Sequence, residues 1–158
     1  MDGTEIRKYQ IGERGTTGRS KMIKKINHVG IAVRDLDKAI RFFEETYDAK
    51  LLWRKVFEEQ KLESAFISMG EAHFEVSSSL DPQGVIGKFV ESKGEGIHHI
   101  SLEVDNIDDV VKELKGKGLT VIGESATEDF KIAFVHPQNN FGVLMEIVEP
   151  KGEITHLK

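Results

Sequence analysis

Val29, Ile31 and Val33 alternate with His28, Gly30 and Ala32. That period of two predicts a strand with one apolar face. Leu36, Ala39, Ile40 and Phe43 follow at helical spacing, so an amphipathic helix comes next, with Asp35 at its N-cap. The same pattern returns 71 residues later: Ile100, Leu102 and Val104 alternate with His99, Ser101 and Glu103, and Ile107, Val110, Val111 and Leu114 carry the helical period. Asp105 or Asn106 caps the second helix. In both copies the face opposite the apolar one is small or polar, as a cavity lining would be.

Short strand-like runs follow each helix. The first copy has KLLWRKVF (50–57), LESAFISM (62–69) and AHFEVSS (72–78); the second has LTVIGE (119–124), KIAFVHP (131–137) and GVLMEIV (142–148). The chain thus reads as two βαβββ modules, about 23–79 and 97–149, joined by a linker over 80–96 with a short helix near 83–92. Interleaving of this kind predicts an α+β fold with mixed, mostly antiparallel sheet. One domain is expected over 22–150, with a flexible extension over 1–21 and a tail over 151–158. The extension has no apolar period and no h-region, so it does not read as a signal peptide.

Composition narrows the chemistry. The chain has no cysteine, which excludes thiolate nucleophiles and cysteine-held metals and fits a cytoplasmic protein. A net charge of −5 speaks against nucleic acid as the main partner. No apolar run approaches the roughly 20 residues of a membrane span.

The offset that superposes the two strands also pairs side chains that can bind metal. His28 falls on His99 and Glu75 on Glu146, and no other histidine or glutamate has a like residue 71 positions on. Alone, a glutamate in an antiparallel strand is an ordinary solvent-facing residue. Four donors at one offset point instead to a shared site. Two imidazoles and two carboxylates suit a divalent Mn, Co, Ni, Zn or Fe ion better than magnesium. His98 is expected to point away from His99, in a structural or surface role, and its repeat equivalent is Asn27. His73 shares the face of Glu75 and reads as a bystander or substrate contact. His136 reads as structural, and Phe42, Phe43 and Phe89 as core. Trp53 suits either core or site.

The strands HVGIAV and HISLEV, with a glutamate in each terminal strand, resemble the vicinal oxygen chelate (glyoxalase/bleomycin resistance) superfamily. KINHVGIAV, IGKFVESKGEGIHHISLEV, FVHP and GVLMEIVEP resemble, more narrowly, the methylmalonyl-CoA epimerases. The resemblance implies a curved sheet around a metal held by His28, Glu75, His99 and Glu146, an acyl-CoA substrate and a homodimer. It implies interconversion of the 2R and 2S forms of methylmalonyl-CoA by α-proton abstraction through a metal-stabilised enolate. Glu146 and Glu63 are the candidate catalytic bases; the family's acid/base glutamate falls on Glu63 or on its neighbour Ser64. Lactoylglutathione lyase (glyoxalase I) is the alternative activity, since it shares the four-ligand pattern. A drug-binding protein of the same fold is the non-catalytic alternative.

Overall fold

The computed structural model describes residues 22–152, so the expected extension and most of the tail lie outside the described residues. The first module runs β1 (Lys25–Val33), α1 (Leu36–Tyr47), β2 (Lys50–Phe57), β3 (Leu62–Met69) and β4 (Ala72–Ser79). A linker helix, α2 (Val85–Lys93), leads to the second module. That module comprises β5 (Gly96–Glu103), α3 (Ile107–Gly116), β6 (Val121–Ala126), β7 (Phe130–Val135) and β8 (Met145–Pro150), with a 3-10 turn at Pro137–Asn139. Asp35 and Asn106 are the caps, their side chains accepting from the Lys38 and Asp109 amides.

All eight strands form one curled sheet in the order β2-β3-β4-β1-β5-β8-β7-β6. Only β1/β4 and β5/β8 are parallel. Each module therefore supplies four consecutive strands, and the modules meet where β1 and β5 pair antiparallel. This is the α+β architecture expected from the repeat.

The apolar faces pack as the periodicity requires. Val33, Leu36, Ile40, Ala65, Ile67 and Val76 bury one face of the first module under α1, and Val104, Ile107, Val110, Val111, Ala133 and Ile147 do the same under α3. Phe43 joins the first cluster, but Phe42 is 52% exposed, so only one of the adjacent phenylalanines is core. Ile86 and Val90 of α2 cover Ala32, with Phe89 beside them. Ala32 is in phase with His28 and Gly30, so α2 lies against the face opposite α1.

Three departures from simple alternation matter. The expected run from Gly142 starts as a strand only at Met145, because Phe141 and Gly142 both adopt positive φ and turn the chain. The other two are β-bulges in the central pair. Ile26 pairs with Leu102 and His28 with Ser101, leaving Asn27 as the extra residue of β1. Gly30 pairs with His99 and Ile31 with Ile97, leaving His98 as the extra residue of β5. The extra residue of a bulge is freed from strict alternation. The bulges fall at equivalent places in the repeat, each one residue before a histidine of the 71-residue offset.

Candidate metal centre

The central strands bring the paired residues together. His28 Nε2 lies 3.1 Å from His99 Nε2. Glu75 Oε2 lies 3.5 Å from His28 Nε2 and 3.7 Å from His99 Nε2. Glu146 Oε2 lies 3.6 Å from His28 Nε2. Among the described residues, His28, His99 and Glu146 form a tight group whose donor atoms all lie within 4.8 Å of one another, and all three are buried. Glu75 flanks that group from β4 and is partly exposed. Donors about 2.1 Å from one ion stand about 3 Å apart when adjacent. The observed spacings therefore fit a shared divalent cation after small contraction.

Two further features fit a cation. Glu146 Oε2 is buried without a hydrogen-bond partner, a costly arrangement unless a positive group completes it. The hydrogen bonds behind the histidines also turn lone pairs inward. Asn27 donates through Nδ2 to Glu103 Oε2 at 2.9 Å, which fixes its amide orientation. Its Oδ1 then lies 2.9 Å from His28 Nδ1 as an acceptor, so Nε2 is the His28 nitrogen that would face a metal.

Electrostatics separate the four groups. Burial pushes the Glu146 carboxyl up to about 7, with Glu75 adding to the rise and His28 opposing it. Burial would raise Glu75 too, but hydrogen bonding and charge from His28, with His99 and Ser64, hold it below the usual range. Burial disfavours charge on His28, yet the two carboxylates outweigh it and raise its pKa. Burial drives His99 down to about 4, with neighbouring His28 and His98 lowering it further against Glu75. Without metal, burial favours the proton on Glu146 and the two carboxylates favour one on His28. A divalent ion would take over the role of those protons.

The ring of His99 lies against Gly30, its cross-strand partner. A Cβ at Gly30 would overlap that ring. Gly30 is thus required for space, and its backbone is not in the positive-φ region. The repeat equivalent, Ser101, pairs with His28 in the same way and is fully buried. Phe66 stands edge-on to His28 with centroids 5.4 Å apart, and Trp53 and His73 stack on either side of Phe66. His73 thus borders the centre without joining it, and Trp53 belongs to the aromatic wall beside it.

The structure does not bring Glu63 to the cluster. Arg54 holds its carboxylate through bonds of 2.6 and 3.1 Å and also bonds Asp37 in the first turn of α1. Alternation therefore turns the neighbour, Ser64, toward the centre, where its hydroxyl lies 2.7 Å from Ser77 Oγ. Glu63, expected as a second base, is thus held by Arg54 rather than in the cluster. The expectation for His98 is corrected. Its bulge brings Nδ1 to 3.0 Å from His99 Nδ1, and its ring packs edge-on to Phe89 of α2. Unbroken alternation would have sent it to the other face. The signal that could have found it was the polar residue preceding each offset histidine. His136 is structural, accepting from the Gln138 amide to open the 3-10 turn.

A duplicated βαβββ scaffold with a His–His–Glu cluster at the seam defines a class of metal-capable proteins built on one curled sheet. The chain belongs to the glyoxalase/bleomycin resistance protein/dioxygenase superfamily, whose family model matches residues 27–153. It is 32% identical over 135 residues to human mitochondrial methylmalonyl-CoA epimerase, covering 83% of this chain and 77% of that protein. The structure of methylmalonyl-CoA epimerase from Mycobacterium tuberculosis superposes with a TM-score of 0.79 at 29% identity, covering 86% of this chain and 94% of that one. A variant of the Streptomyces coelicolor epimerase in complex with 2-nitronate-propionyl-CoA gives a TM-score of 0.77 at 27% identity, covering 82% of this chain and 99% of that one.

Proposed function

We propose that the protein is a metal-dependent isomerase that epimerises methylmalonyl-CoA at its α-carbon. The observation that carries the proposal is the buried His28–His99–Glu146 group flanked by Glu75, on a scaffold shared with an epimerase that binds an acyl-CoA analogue. A divalent cation held by these four residues would supply Lewis-acid stabilisation to negative charge developing on a thioester oxygen.

The chain's own residues do the rest. His28 and His99 are neutral nitrogen donors when a cation is bound, and their rings are held by the neighbours of each strand. Glu146 is the base that removes the α-proton, a carboxylate of the buried group that would leave the cation to accept it. The electron pair of the C–H bond moves toward the thioester carbonyl, giving an enolate. Reprotonation on the opposite face restores the thioester with inverted configuration. Glu75 meets the same two imidazoles from the other module and is the carboxylate we assign to that second face. Phe66 and the side chains around it limit water at the reacting carbon.

The test is α-proton exchange in D2O with methylmalonyl-CoA, run beside a glutathione hemithioacetal assay and a metal analysis of the purified protein. Metal-dependent exchange with the acyl-CoA supports the assignment. Turnover of the hemithioacetal alone would replace it with a lyase. A protein that binds no divalent metal would point to a non-catalytic ligand carrier.

A further inference from the structure

The two bulges of the central strands carry an inference about how the metal centre is held. Each inserts one polar residue directly before a central histidine, Asn27 before His28 and His98 before His99. Each inserted side chain then turns back onto the ring that follows it. Asn27 Oδ1 meets His28 Nδ1 at 2.9 Å, and His98 Nδ1 meets His99 Nδ1 at 3.0 Å. We propose that Asn27 and His98 are equivalent positioning residues, each presenting a hydrogen-bond acceptor that fixes the Nδ1–H tautomer of the next histidine and aims its Nε2 at the metal.

The chemistry permits one polarity. If Nε2 of His99 faces the cation, a neutral ring must carry its proton on Nδ1 and donate it. His98 must then accept through Nδ1 and keep its own proton on Nε2. At the other bulge, the Asn27–Glu103 bond already fixes the amide so that oxygen faces His28. An amide oxygen and an imidazole nitrogen thus perform one task at one place in the repeat. The bulges supply the geometry, because on unbroken strands neither side chain could share a face with the residue after it. This inference rests on the metal centre proposed above and is independent of the substrate.

The acceptor, rather than the packing, is therefore the property to vary. His98→Asn gives this position the group its counterpart uses, and Asn27→His does the reverse. His98→Leu and Asn27→Leu keep apolar bulk and lack an acceptor. Zinc affinity is measured by competition with a chromogenic chelator on the purified chain at fixed pH. Loss of such supporting bonds typically weakens metal binding about 10–100-fold. The leucine variants are expected to fall in that range, and the exchanged variants to stay within about threefold of wild type. Long-range 15N NMR on the zinc-loaded wild type reads the tautomers directly and needs no substitution; Nδ1–H is expected on both His28 and His99. Unchanged zinc affinity in the leucine variants, equal losses in the leucine and exchanged variants, or an Nε2–H signal from either histidine would overturn the positioning role. Failure of the wild type to bind zinc or any other divalent ion would instead overturn the metal centre itself.

Discussion

Glu146→Gln separates the cost of the buried carboxylate from its use. In the metal-free protein this carboxyl is displaced from 4.5 to about 7, chiefly by burial. A folded pKa above the unfolded one means that the folded state holds the proton longer as pH rises. The associated stability is complete below about pH 4.5 and is lost as the pH climbs through 7. At 1.36 kcal/mol per pH unit, a displacement of this size weakens the fold by about 3 kcal/mol at pH 8. Glutamine keeps the shape and removes the ionisation, but it also removes an attraction to His28. The net gain expected for the chelator-treated variant is about 1–3 kcal/mol at pH 8, shrinking toward zero at pH 5. Urea unfolding at the two pH values measures it, with m compared to ensure that the unfolded state is unchanged. Added divalent metal should reverse the order. The wild type should gain about 4 kcal/mol at a thousandfold excess over its dissociation constant, and the variant distinctly less. A metal-free Glu146→Gln protein less stable than wild type at pH 8, or a difference that ignores pH, would refute the reasoning.

Other substitutions probe separate parts of the argument. Gly30→Ala should displace the His99 ring, weakening metal binding at least tenfold by chelator competition and costing about 1–3 kcal/mol in denaturant unfolding. Glu63→Gln should leave metal content and exchange rate at wild-type levels and cost under about 1 kcal/mol, because its bond to Arg54 lies at the surface. Burial works to raise Glu103, but Asn27, Lys25 and Lys24 outweigh it and hold its pKa below the usual range. The stability it contributes is therefore present above its unfolded pKa and lost as acid protonates it. Glu103→Gln should flatten the decline in unfolding free energy below about pH 4.5.

The fold was legible because the repeat carries its own check. A period of two followed by a helical period recurs at one offset, and the same offset aligns the four side chains that meet at the seam. The rest depended on local backbone geometry that the pattern does not encode. Strand alternation assumes an unbroken register, and the bulges at Asn27 and His98 break it. That reversed the expected direction of His98. Glu63 and Ser64 are adjacent, so alternation guaranteed that one would face inward without saying which; the bond from Arg54 holds Glu63 outside. Phe42 and Phe43 posed the same problem on α1, where a turn of about 100° separates core from solvent. Gly30 gave no hint of its role, because the need for a missing side chain appears only once a ring lies across it.

Each half of the eight-stranded sheet contributes one imidazole and one carboxylate, and the halves touch most extensively along β1 and β5. The molecule is in effect two like halves fused into one polypeptide, with the candidate metal centre at the boundary between them. An ion bound there would tie both halves at once, so stripping it is expected to loosen their junction before it loosens either half.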